Sequence, residues 1–191
     1  MDDNMVDGTP QLATSFLESP VVSRGEYQYF IHPLTDGVPR VDPSLLSEVV
    51  DRMVELADMD CDVILAPEAM GIPLATALSI RTGIPFSVIR KRRYDLEGEI
   101  ELHQRTGYSD SYLYINGVSA GDRVAIVDDV VSTGGTLEAT IGALRSEGVQ
   151  VTEVVVVFDK SDDLQSISER LGVPIRSLLS IAVVDGVPTI R

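Results

Sequence analysis

A chain of 191 residues with 44% apolar content has the length of one domain and enough apolar side chains for one full core. Thirty acidic residues against 15 basic ones give a net charge of −15, which repels the phosphates of nucleic acid and argues against a nucleic-acid-binding role. No run reaches the roughly 18 apolar residues of a membrane span, and Met1 is followed by Asp2 and Asp3 rather than a basic leader; a cytoplasmic protein with no membrane partner is expected.

The expected organisation is a loose N-terminal tail over residues 1–15 and a single domain over 16–191. Met1 to Pro10 mixes Asp, Asn, Gly, Thr and Pro with little apolar content. Tyr27 to Ile31 reads as a short strand. Asp42-Pro43 then opens a helix, with Asp as cap and Pro at the first helical position. Leu45, Leu46, Val49, Val50, Met53 and Ala57 recur behind it at helical spacing, leaving Glu48, Asp51 and Arg52 outward. From there strands and helices alternate: Val63 to Ala66 (strand), Pro73 to Ile80 (helix), Phe86 to Arg90 (strand). Arg123 to Val127 (strand), Thr136 to Ser146 (helix), Val154 to Phe158 (strand), Leu164 to Leu171 (helix) and Ile175 to Ile181 (strand) continue the series. Short β-branched runs separated by helical patterns predict an α/β fold, a central parallel sheet flanked by helices. Asp185-Gly186 between apolar runs reads as a closing hairpin turn.

Lys91 to Gly121 breaks the alternation: about thirty polar residues rich in Glu, Tyr and Gly, without helical period. Such a span is either a flexible loop that closes over a substrate or a surface β-ribbon. Tyr112-Leu113-Tyr114-Ile115 before Asn116-Gly117 gives it hairpin character.

The strongest chemical signal is Val124-Ala125-Ile126-Val127-Asp128-Asp129-Val130-Val131-Ser132-Thr133-Gly134-Gly135-Thr136. A buried strand ends on two adjacent acids, and a turn of hydroxyls and glycines leads into a helix. Ligands of open α/β sheets bind at this end of the strands. Gly134 and Gly135 let backbone amides converge on an anion, the helix start adds partial positive charge, and the hydroxyls of Ser132, Thr133 and Thr136 can donate further bonds. The acids would repel a phosphate, so they face hydroxyls or a cation; a ribose diol and Mg²⁺ fit. Phosphate beside ribose describes a ribose 5-phosphate. The Gly-Lys-Ser/Thr ending of a nucleotide-triphosphate P-loop is missing.

This run resembles the signature of the type I phosphoribosyltransferases, and from about Phe16 to Ile190 the chain is similar to archaeal purine phosphoribosyltransferases of the hypoxanthine or adenine kind. The resemblance implies that fold, with a small hood and a flexible loop, and transfer of ribose 5-phosphate from phosphoribosyl pyrophosphate to a purine base with Mg²⁺. It assigns Asp128 and Asp129 to the ribose hydroxyls and the metal, and Ser132 to Thr136 to the 5-phosphate. Pro67-Glu68-Ala69-Met70-Gly71 resembles the family's pyrophosphate loop, with the amides of Ala69, Met70 and Gly71 as ligands; the residues alone allow a plain strand-to-helix turn. Arg90-Lys91-Arg92-Arg93 is unusual in so acidic a chain and suggests neutralisation of pyrophosphate, with Arg90 and Lys91 as contacts, and the resemblance implies a homodimer interface across which they would act.

Lys160, in Phe158-Asp159-Lys160-Ser161, matches a lysine that bonds the exocyclic oxygen in enzymes acting on oxopurines, with Phe158 as the neighbour that packs on the ring. Lysine donates and cannot accept, which favours hypoxanthine, guanine or xanthine over adenine. Ser132 stands where the hypoxanthine-guanine enzymes carry an aspartate, which points instead to adenine-type chemistry with a loop glutamate handling the proton: Glu97, Glu99 or Glu101, of which Glu99 is the central one. A sensor of phosphoribosyl pyrophosphate without catalysis, or a transferase for another base, are the alternative functions. His32, His103 and the single cysteine, Cys61, read as structural. Acids spread along the chain, with lysine reduced to Lys91 and Lys160, resemble proteins of salt-loving microorganisms; molar salt shortens the Debye length to about 3 Å and screens such charge.

Overall fold

The computed structural model describes residues 8–25, 27–105 and 110–191. In chain order the elements are α1 (Pro10–Leu17), β1 (Val21–Arg24), β2 (Tyr27–Phe30), α2 (Pro33–Asp36), α3 (Pro43–Leu56), β3 (Val63–Pro67), α4 (Gly71–Thr82) and β4 (Phe86–Ile89). They continue with β5 (Ile100–Arg105), β6 (Asp110–Ile115), β7 (Arg123–Val131), α5 (Gly135–Ser146), β8 (Gln150–Asp159), α6 (Leu164–Leu171), β9 (Ile175–Val184) and β10 (Val187–Ile190). The main sheet has the order β10-β9-β8-β7-β3-β4. Its strands run parallel except β10, which turns back on β9 through Asp185-Gly186.

Each strand of the centre feeds two cores, because successive side chains point to opposite faces. Ala125, Val127, Val155 and Val157 join the core under α1, α3 and α4, while Val124, Ile126, Val154 and Val156 join the one under α5, α6 and the β5–β6 ribbon. Cys61 belongs to the first of these as a buried thiol. The Asp42 carboxylate caps α3 by accepting from the Ser44 amide at 2.8 Å. No helix among the described residues is long and apolar enough to cross a membrane.

Two expectations need correction, and a third is narrowed to one of its alternatives. Of the tail expected over 1–15, the first seven residues lie outside those described, and residues from Pro10 on are not loose. Pro10–Leu17 is a helix whose Leu12 and Phe16 are fully buried, worth roughly 1.5–3 kcal/mol each. Glu48 is not simply outward: its carboxylate accepts from the amides of Gln11 and Leu12 at 3.1 and 2.9 Å, capping α1 from α3. Of the span 91–121, residues 106–109 lie outside those described. On either side of them β5 and β6 pair antiparallel from Ile100↔Ile115 to Arg105↔Asp110. Alternation places Ile100, Leu102, Leu113 and Ile115 in the second core, so the base of the ribbon is packed against the body.

Candidate functional site

A cleft forms where the sheet comes apart. β3 pairs with β7 only from Val63↔Val124 to Leu65↔Ile126, whereas β8 stays beside β7 as far as Val131↔Asp159. Chain order also reverses here, β3 leading out to β4 and β7 to β8 and β9, which makes this a topological switch point. The strand continues past its expected end at Val127, carrying Asp128 and Asp129 along the flank that β3 leaves unpaired. The resulting cleft of about 300 Å³ is lined by Thr35, Pro67 to Met70, Ile89, Lys91, Leu113, Asp128, Asp129 and Thr136.

Burial destabilises the charge of both acids. Burial, and then the neighbouring Asp129, push the Asp128 carboxyl well above the usual carboxylate range; burial pushes Asp129 up as well. The Asp129 amide donates to Asp128 Oδ1 at 2.9 Å. Among the described residues no third His, Cys, Asp or Glu completes a metal-holding group. A pair of strained carboxylates suits a cation that takes its remaining ligands from substrate and water, as Mg²⁺ does, or sugar hydroxyls that donate.

Beside the acids the chain turns into α5. Gly134 is the helix cap with φ of 77°, and no side chain caps the helix, so its first amides are left for an external acceptor. Thr136 lines the cleft, while Ser132 and Thr133 are exposed on the turn. On the opposite wall the peptide Glu68–Ala69 is cis, and Ala69 and Met70 face the cleft. Gly71 lies behind them: an added Cβ would sit 3.0 Å from the Val127 carbonyl, so its lack of side chain serves the packing of α4 on the sheet.

On the other flank of β7 a cavity of about 100 Å³ is lined by Tyr29, Phe30, Thr35, Val130, Ser132 and Lys160. Thr35 borders both spaces. The turn that presents Lys160 is tied down by the buried Asp159, whose Oδ1 accepts from the Ser161 amide at 2.8 Å, and by the Lys160 amide, which donates to Val131 O at 2.8 Å. The segment that presents Thr35 is anchored by His32. This fully buried imidazole accepts at Nδ1 from the Leu34 amide at 3.1 Å, so Nε2 carries the proton and donates to Ser15 Oγ at 2.9 Å. Burial lowers its pKa to about 4. Asp36 accepts from the His32 amide at 3.0 Å and from the Thr35 hydroxyl at 2.6 Å.

Two sequence assignments fail on geometry. The Phe158 ring is fully buried, 5.5 Å from Phe16, 5.7 Å from Phe30 and 5.0 Å from His32, and faces neither space; the exposed aromatic beside Lys160 is Tyr29. Glu99 is not poised as a base. Its carboxylate accepts from Asn116 Nδ2 at 2.8 Å and from the amides of Tyr94 and Asp95, and these bonds, the Asn116 one foremost, lower its pKa. The acid organises residues 94–99 instead. The basic run divides: only Lys91 lines the cleft, Arg90 lies 2.9 Å from Glu68, Arg92 stacks over Tyr94 and Arg93 pairs with Asp95 at 2.6 Å. Tyr29, Thr35 and Leu113 went unnoticed in the sequence, where nothing marks residues brought in from a distant segment.

An open parallel sheet with an acid pair and a glycine-hydroxyl turn at its switch point defines an α/β protein built to hold a phosphorylated sugar. The chain belongs to the phosphoribosyl transferase domain family, whose profile matches residues 45–171. It is 51% identical over 177 residues to the hypoxanthine/guanine phosphoribosyltransferase of Methanohalophilus mahii, covering 92% of this chain and 93% of that one. The protein of the same name from Methanosarcina acetivorans is 54% identical over 173 residues, 91% of each chain. Among solved structures, adenine phosphoribosyltransferase from Thermoanaerobacter pseudethanolicus shares the fold, with a TM-score of 0.73 at 23% identity, over 88% of this chain and 99% of that one.

Proposed function

We propose that this chain is a purine phosphoribosyltransferase of base salvage that moves ribose 5-phosphate from phosphoribosyl pyrophosphate to hypoxanthine or guanine and releases pyrophosphate. The observation that carries the reading is Thr35. It joins the cleft holding Asp128, Asp129 and Thr136 to the small cavity holding Lys160, as a ribose joined to a base requires. In this reading the amides and hydroxyls of Ser132 to Thr136 take the 5-phosphate, Asp128 and Asp129 face the ribose hydroxyls, and Ala69, Met70 and Lys91 meet the pyrophosphate. Mg²⁺ would be held by Asp128 and Asp129 together with substrate oxygens and would offset charge on the departing pyrophosphate. Lys160 donates to the exocyclic oxygen, with Tyr29 as the aromatic neighbour, which supports an oxopurine over adenine. The names of the archaeal relatives point the same way.

Catalysis is then mainly positioning and electrostatic stabilisation, since a cation-like ribose needs no protein nucleophile. We further propose a cytoplasmic homodimer, which would cover Ile80, 83% exposed on α4, working in salt-rich conditions that screen the charge of −15. The test is a panel of hypoxanthine, guanine, xanthine and adenine with phosphoribosyl pyrophosphate and Mg²⁺ at low and high KCl, followed by pyrophosphate release. Hypoxanthine and guanine should be converted with the highest kcat/KM; turnover of adenine alone removes the assignment of Lys160, and turnover of no purine removes the activity.

A further inference from the structure

We propose that Arg170, on α6 and outside the cleft, is a positioning residue that holds the Ser132–Thr136 turn in its anion-binding form. This rests on the reading of that turn as the 5-phosphate site. A helix-start turn attracts an anion only while its N–H groups face the ligand and its carbonyls face away. Thr133 lies in the middle of the turn, and Arg170 Nη2 donates to its carbonyl oxygen at 3.2 Å, fixing that oxygen toward α6. Nη1 of the same guanidinium pairs with Glu138 in the first turn of α5. Glu138 is a carboxylate near a site meant for phosphate, and its uncompensated charge would oppose binding. Ile167, one turn earlier on α6, completes the support: a Cβ on Gly134 would lie 2.8 Å from Ile167 Cγ2 and 3.2 Å from Arg170 Nη2. One planar, forked side chain thus ties down a carbonyl and neutralises an acid at once, a task for which lysine's single ammonium is not shaped.

The pair is 43% and 59% exposed, so its effect is moderated by solvent. Arg170→Gln should raise the KM for phosphoribosyl pyrophosphate about five- to tenfold while kcat and the KM for the purine stay within about twofold. Arg170→Lys should recover part of the loss. Arg170→Gln with Glu138→Gln removes the opposing charge as well as the tie, and should give an intermediate KM. An unchanged KM in Arg170→Gln overturns the proposal. So does full recovery in the double variant, which would reduce Arg170 to a counter-ion. So does a parallel rise in both KM values with a lowered Tm, the mark of a general fold defect. If the wild-type chain turns over no purine, the activity reading fails by itself. Calorimetric binding of ribose 5-phosphate then reads Arg170 directly, with the same five- to tenfold loss expected and an unchanged affinity overturning it.

Discussion

Replacing Gly134 by alanine separates two demands that the turn before α5 makes of one residue. Its φ of +77° lies in the left-handed region, where a side chain costs roughly 1–2 kcal/mol. The added Cβ would also lie 2.8 Å from Ile167 Cγ2, and forcing a methyl into packed surroundings costs roughly 1–3 kcal/mol. Together these give about 2–5 kcal/mol. At about 2–4 °C per kcal/mol for a chain of this size, the middle of that range lowers Tm by about 10 °C. The steric part has a partner and can be removed. In an Ile167→Ala background the methyl finds room, so Gly134→Ala should cost about 1–3 kcal/mol less there than in wild type, with the φ part remaining. Thermal and urea denaturation of the four chains measure both components. A Gly134→Ala protein that melts within about 1 °C of wild type, or a cost that ignores Ile167, would refute the reasoning.

The remaining predictions concern charge. Asp128→Asn with Asp129→Asn should abolish pyrophosphate release yet raise Tm at neutral pH, because burial lifts both carboxyls above their unfolded value, and the Asp129 charge lifts Asp128 further. The folded wild type then holds protons that the unfolded chain has released, so these groups add stability as pH falls through their raised values, complete at about 3.8; melts over that range check the sign, and a variant that melts lower contradicts it. His32 acts oppositely: its folded pKa of about 4 against 6.5 costs roughly 3 kcal/mol as pH falls from 6.5 to about 4, and His32→Gln should lack that decline. Lys160→Ala should raise the KM for hypoxanthine about ten- to a hundredfold, the value of a hydrogen bond to a charged group, and leave that for phosphoribosyl pyrophosphate unchanged; equal effects on both substrates would argue against it.

Where a local signal fixed a boundary, sequence and structure agree closely. Leu164 to Leu171 is helical over the expected span, and Asp42-Pro43 opens α3 through a side-chain cap. The missed α1 had a comparable signal, Pro10 at a helix start with Leu12, Ala13 and Phe16 on one face, obscured by the polar residues before it. The acid pair and glycine turn could be read because the chemistry is contiguous along the chain. Tyr29 and Thr35 could not, since only tertiary packing brings β2 and α2 to the end of β8. Glu99 and Phe158 failed for the opposite reason: their residue types suited the chemistry, but local hydrogen bonds claim the one and the aromatic core the other.

The splitting of β3 from β7 has an evolutionary consequence. It leaves the proposed pyrophosphate groups on one side of β7 and the proposed base groups, Tyr29 and Lys160, on the other, with Thr35 at the join. Substitutions on the base side can therefore retune which ring is accepted while the donor side stays as it is. A lineage could drift between oxopurines and aminopurines by small steps, each intermediate still able to grip the shared sugar donor.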